Sequence, residues 1–388
     1  MSAIAHVVRS GFVGRRAAAG AIVLALAATT AAVAVPPARA ADGAAGVPWR
    51  LAGPGWSVAE YSAAALHGPA KARTAFYLVS PKGRRYAFYV TPAATAYPAI
   101  QLLDWSGDRR RVLVYRYVGS GADAPVVVEQ ISLATGTVVS RFRLPASLLP
   151  EGYTRPRGQS ILAVGDTRPG IYRYDLAGHL QQVLARRTRL GILEALDSPA
   201  GRFLLAGPVR GLLRISHAGA ITRRIQIPNS ELCGPARWWT PTTALVSCFG
   251  RSPYVAERLW LVPSRHGAPR PLTPALRPHG LFDGYFNAWK LGTRVYLQAD
   301  NAHDTLSIVR QFADGTRRTI TVPGPAGLSD QIITAYRGRL LLQSNIGPGG
   351  PSSLFWFNPL TRTDQFILRA PPGTYGVADT IAYGYWNG

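Results

Sequence analysis

Five carboxylates stand beside the ends of short apolar segments in this 388-residue chain: Glu151, Glu194, Glu231, Asp283 and Asp330. Two carboxylates held roughly 5–10 Å apart suit glycoside hydrolysis, one as general acid and the other as base or nucleophile. Glu194, Asp283 and Asp330 are the residues on which such chemistry would rest. No other pattern supplies a reaction. G-x-S-x-G, H-E-x-x-H, the phosphate-binding Walker loop and the EF-hand loop are all missing from the sequence, so no catalytic residue is assigned. There is no cofactor fingerprint, and no cofactor is expected.

A second group points to anion binding. Arg155, Arg157, Arg187, Arg189, Arg237 and Arg277, with His279, fall in or beside the longer connections. Guanidinium forks match carboxylate and phosphate groups. The densest ligand-like run is "ADNAHDTLS", with Asp300, Asn301, His303 and Asp304. A hard cation takes such oxygens, but the spacing fits no known loop and these residues are ordinary turn formers. No metal is expected. His217 and His266 lie at or beside turns and read as solvated. Trp238, Trp239, Trp260, Trp289 and Trp356 could stack on sugars, but their strand positions favour burial between sheets.

The two cysteines, Cys233 and Cys248, bracket "CGPARWWTPTTALVSC". A two-residue turn at Thr240 and Pro241 pairs Trp239 with Thr242 and, continued outward, Cys233 with Cys248. Directly opposed strand residues are close enough to bridge, and an oxidising compartment favours it. Two buried free thiols are the alternative.

What positions these residues is a repeat. "FYLVSPKG", "EQISLATG", "IYRYDLAG", "LLRISHAG", "WLVPSRHG" and "IVRQFADG" end at Gly83, Gly136, Gly178, Gly219, Gly267 and Gly315. A seventh copy, "SLFWFNPLTRTD", turns near Arg362 without a glycine. The intervals of about 41–53 residues, carrying strand patterns, are those of propeller blades. Each copy has two further apolar stretches upstream, which gives four strands per unit, a to d from inside outward. The first unit shows only three strands, and "GVADTIAYG" near the C-terminus is an inner strand lacking partners. Joining them removes exposed sheet edges. The expected fold is all-β: a seven-bladed propeller of four-stranded antiparallel blades closed by N- and C-terminal strands, with six blades as the alternative.

The segments "LLDWSGDRRRVLVY" (102–115) and "EALDSPAGRFLLAG" resemble the W-S-x-D-G-k repeats of TolB-like, WD40-like (PD40-type) propellers of secreted bacterial proteins. The repeat shape spans most of residues 50–388. The resemblance implies a fold and little about activity. The extra α/β domain of TolB has no counterpart here, so its translocation role is not carried over.

Compartment and charge complete the reading. Arg9, Arg15 and Arg16 precede an Ala-rich apolar run ending in "PPARA", which is the form of an export signal cut after Ala40. An uncleaved anchor is the alternative. The expected division is therefore a signal peptide over residues 1–40 and one propeller domain over 41–388, secreted or extracytoplasmic, with no later membrane span. Net charge is +23, from 43 Lys and Arg against 20 Asp and Glu. Lys occurs only at positions 71, 82 and 290, so arginine carries the charge. Attraction to polyanions follows, although GC-rich coding bias would also enrich arginine. Nucleic acid is not expected, for want of a recognition motif.

In a propeller the d–a and b–c connections share one face, and here they are the longer ones. That face is expected to bind. The function expected is a non-catalytic binding or scaffold protein, a monomer, engaging a protein partner or an anionic envelope polymer. The alternative is a secreted carbohydrate-active hydrolase or lyase with carboxylates at the channel mouth.

Overall fold

A computed structural model describes residues 46–65, 71–91, 95–96, 100–118, 125–165, 170–185, 194–207, 211–228, 230, 232–249, 258–274, 284–300, 306–323, 328–346, 351–371 and 373–384. The expected signal region and its cut after Ala40 lie outside them. Among the described residues there is no α-helix, only a short 3-10 turn at Trp49–Leu51 and strands.

Seven four-stranded antiparallel arrays follow one another along the chain. In order a, b, c, d, the second sheet is Gln101–Trp105, Arg111–Tyr117, Val126–Ser132 and Val138–Leu144. The third is Leu149–Tyr153, Ile161–Val164, Ile171–Tyr174 and Leu180–Leu184. The fourth is Glu194–Asp197, Phe203–Gly207, Leu212–Ser216 and Ile221–Ile225. The fifth is Leu232–Thr240, Thr243–Phe249, Arg258–Pro263 and Arg270–Pro271. The sixth is Gly284–Leu291, Arg294–Asp300, Leu306–Gln311 and Arg317–Ile320. The seventh is Leu328–Tyr336, Arg339–Ile346, Ser352–Asn358 and Thr363–Leu368. The first sheet is composite. Ser57–Ala65, Thr74–Val79 and Arg85–Val90 take their fourth strand from Thr374–Ala382, with Ser57 opposite Ala382 and Val58 opposite Ile381. A single parallel pair, Ser352 with Gly376, links it to the seventh.

Strand b of each sheet shows why apolar runs here are continuous rather than alternating. Successive side chains point to opposite faces, and both faces are covered. In the second sheet Val112 and Val114 face the first sheet, while Leu113 and Tyr115 face the third. In the fourth, Leu204 and Ala206 face the third sheet and Phe203 and Leu205 the fifth. In the seventh, Leu340 and Leu342 pack on the sixth sheet and Leu341 on the first. Each of the seven buried clusters draws on two consecutive sheets, the seventh and first included. Trp238, Trp239, Trp260, Trp289 and Trp356 are all buried in these layers, as their strand positions imply.

The repeating glycines have a backbone cause. Gly83, Gly136, Gly178, Gly219, Gly267 and Gly315 all sit in c–d turns with positive φ, where a side chain is disfavoured. Arg362, at the same place in the seventh sheet, adopts φ 55° without being glycine.

The Cys233–Cys248 bridge forms, between strands a and b of the fifth sheet. The hairpin turns one residue later than expected, with Thr240 opposite Thr243. Two one-residue register shifts, between Trp238 and Thr240 and between Pro235 and Arg237, then bring Cys233 opposite Cys248.

Candidate functional site

The inner strands carry the polar residues that matter most, and in the second to seventh sheets each has only one ladder partner. An edge strand tolerates proline and bulges. Pro150 and Pro235 accordingly lie inside inner strands, and register shifts occur between Leu102 and Asp104, Pro150 and Gly152, Pro235 and Arg237, Tyr285 and Asn287, and Ile332 and Thr334. Behind the bulge a side-chain oxygen caps the chain. Asp104, Asn287 and Asp379 each accept the N–H of the following residue at 2.8–2.9 Å. The sequence reading missed this position, whose only signal is an Asp or Asn ahead of the a–b hairpin.

These strands relocate two expected ligand residues. "LPEGY" reads as a connection because it holds Pro150 and Gly152, but it is the third sheet's inner strand. Arg155 and Arg157 therefore lie in the a–b turn, at the opposite end of the sheet from the d–a connections. The Arg155 guanidinium is 6% exposed and bonds both oxygens of Asp104, at 2.8 and 2.9 Å, and the Trp105 carbonyl at 3.2 Å. Asp104 also accepts the Tyr153 N–H, and Asp197 accepts the Arg155 N–H at 2.8 Å. Burial pushes the Tyr153 phenol well above its ordinary pKa, the dominant effect at a site where neighbouring charges act in both directions. A Cβ at Gly107 would meet the Pro156 carbonyl, and one at Gly201 the Arg155 carbonyl. Three a–b turns are thus packed into one charge-matched knot. His217 joins it, its Nε2 3.1 Å from Asp197 Oδ1. It is half-buried and paired rather than a solvated turn residue. Arg157 is exposed.

Arg237 is not in a loop either. It lies within the fifth sheet's inner strand, 4% exposed, with its guanidinium 5.2 Å from the Trp289 ring centroid. Glu194 opens the fourth sheet's inner strand and lies against Gly234 of the fifth. Glu151 reaches the Ala195 N–H at 3.3 Å. Asp330 is the third residue of the seventh sheet's inner strand, opposite Ser344, and is 8% exposed; burial raises its carboxyl above its ordinary pKa, partly offset by Ser344. Glu194 and Asp330 therefore belong to inner strands three sheets apart. Arg187, Arg189, Arg277, His279, Asp283, Glu231 and the Asn301–Asp304 run lie outside the described residues.

A different basic cluster emerges at the rim. A groove of about 630 Å³ between the fourth and fifth sheets is lined by Arg202, Arg214, Thr222, Arg223, Arg265 and His266, with no acid among them. These residues come from an a–b turn, strands c and d, and the neighbouring c–d turn, a combination with no linear signature. No group of three or more His, Cys, Asp or Glu able to hold a metal occurs among the described residues, and no helix among them is long and apolar enough to cross a membrane.

No family model matches the chain, and no curated protein matches its sequence. Solved structures do match its fold. The β-propeller domain of Cps50 (Swd1) from Myceliophteria thermophila superposes with a TM-score of 0.53 at 13% identity, covering 74% of this chain and 92% of that one. A structure from a study of two prolyl endopeptidases gives 0.50 at 13% identity over 80% of this chain, which spans about half (49%) of that longer protein. TolB from Acinetobacter baumannii gives 0.37 at 13% identity, over 73% of this chain and 76% of that one. The chain has a β-propeller fold. At these identities the first two likenesses speak to fold alone, because one fold hosts many functions.

Proposed function

We propose that the chain is an extracytoplasmic, seven-bladed propeller that binds an anionic envelope polymer rather than transforming a substrate. On this reading residues 1–40 direct export, cleavage after Ala40 releases a monomeric domain over 41–388, and the composite first sheet closes the ring. The observation that carries it is the imbalance of +23, which is 23 − 4 = +19 once the four arginines of residues 1–40 are removed, borne by arginine, together with a rim groove lined by four arginines and no acid. The seven buried layers, including the one between the seventh and first sheets, support the closure. The disulfide is in keeping with an oxidising compartment. The d–a connections that hold Arg187, Arg189, Arg277 and His279 leave the sheets at the end opposite the a–b and c–d turns of this groove, and they are proposed as a separate basic surface.

The test is retention of the full chain on immobilised polyanions, with elution as ionic strength rises through the range where the Debye length falls below about 10 Å. Failure to bind any polyanion at low salt would sink the proposal.

Asp330 favours a second reading, a carbohydrate-active enzyme with Glu194 and Asp283. A buried carboxyl with a raised pKa has the property of a general acid. Turnover in a glycan panel, abolished by Asp330→Asn and by Glu194→Gln, would support it; an inert panel would dismiss it.

A further inference from the structure

We propose that the groove between the fourth and fifth sheets is a binding site for the phosphate groups of a linear phosphodiester or phosphoanhydride polymer. This rests on the reading of the chain as a polyanion binder and assigns that binding to one place.

The groove is organised before any ligand arrives. Arg223 spans the two sheets, donating from Nη1 to the Pro263 and Arg265 carbonyls and from Nη2 to the Gly267 carbonyl at 3.0 Å. It thereby holds the 265–267 turn against the fourth sheet. Arg214 lies with its guanidinium 4.2 Å from the Phe203 ring centroid and donates from Nη1 to Thr222 Oγ1 at 3.0 Å. Its Nε is buried without an acceptor among the described residues. Arg202, Arg265 and His266 are exposed, and no carboxylate lines the groove beside them. Preorganised donors lower the ordering cost of binding.

The geometry points to a tetrahedral anion. The arginines that line it come from three separate elements: the a–b turn at Arg202, strand c at Arg214 and the c–d turn at Arg265. A carboxylate offers two oxygens in one plane and is satisfied by one fork. A phosphate offers oxygens in several directions and accepts several charge-assisted donors at once. The volume of about 630 Å³ exceeds a single phosphate and accommodates successive units of a chain.

Binding of the full chain to linear inorganic polyphosphate and to polygalacturonate, measured by calorimetry at low and moderate salt, tests this. The variant is Arg202→Ala with Arg265→Ala. Both side chains are exposed, so folding should be undisturbed. The control is Arg84→Ala with Arg110→Ala, which removes the same charge from exposed positions on the first two sheets. The expected result is a loss of about tenfold or more in polyphosphate affinity for the groove variant, as removal of charge-assisted bonds implies. The control should lose no more than about threefold through the long-range field. Equal losses in variant and control would overturn the groove while leaving polyanion binding intact. Polygalacturonate bound as tightly as polyphosphate, with the same dependence on the groove, would overturn the choice of phosphate. No binding of the unsubstituted chain to either polymer would remove the underlying reading as well.

Discussion

The a–b turns of the second to fourth sheets and the groove between the fourth and fifth are both rich in arginine, yet the two regions treat the charge in opposite ways. In the turns, Arg155 is buried and sits within 3 Å of both Asp104 oxygens, while Asp197 holds the Arg155 backbone and His217. In the groove, Arg202, Arg214 and Arg265 face a concavity with no acid. Arginine content therefore does not locate a binding surface in a chain this basic. What distinguishes a structural arginine from an available one is whether a carboxylate already neutralises it.

The comparison can be broken most forcefully at Asp104. Asp104→Ala leaves the buried Arg155 guanidinium without its carboxylate partner, and uncompensated buried charge costs about 3–5 kcal/mol; denaturant unfolding should show a loss of that order. A loss below about 1 kcal/mol, the range of exposed ion pairs, would mean the knot is as loose as a surface pair. His217→Ala should cost about 1–2 kcal/mol by removing one partner of the buried Asp197 while leaving its bond to the Arg155 N–H, again read by denaturant midpoint.

Asp330 sharpens the comparison with an acid beside which no cation acts among the described residues. Its folded pKa lies above the unfolded value of about 3.9 because of burial. Between those two values the folded state binds more protons than the unfolded one, so stability falls as pH rises through that window. Asp330→Asn does not ionise. Its melting temperature relative to the unsubstituted chain should rise as pH increases from about 4, then level off above the folded pKa. A difference independent of pH would contradict the assignment. The smallest effect belongs to the groove itself. Arg202→Ala with Arg265→Ala should change stability by less than about 0.5 kcal/mol, because neither exposed side chain holds the fold.

Most of the architecture was legible along the chain, for a physical reason that individual elements illustrate. Each c–d turn needs a left-handed residue, so glycine recurs at a blade's interval, and even Arg362 was recognisable by position. Strand b is covered on both faces, so runs such as "RVLVY" are apolar throughout. "GVADTIAYG" has an inner strand's pattern without the rest of a unit, and it pairs with Ser57–Ala65. The Cys233–Cys248 pairing was legible as well, although its turn was placed one residue early because bulges leave no mark in composition.

The site was less legible. Arg155 and Arg157 read as loop residues because Pro150 and Gly152 resemble a connection, whereas an inner strand with one free edge accommodates both. Local sequence determines which residues form strands, where the chain reverses and which two thiols oppose each other, since these depend on neighbours within a hairpin. Only the stacking of one sheet on the next decided that Asp104 neutralises Arg155 across 51 positions and that Arg202, Arg214 and Arg265 share a groove. Electrostatic partnership is set by distances across sheet interfaces, and those distances exist only once the sheets have packed.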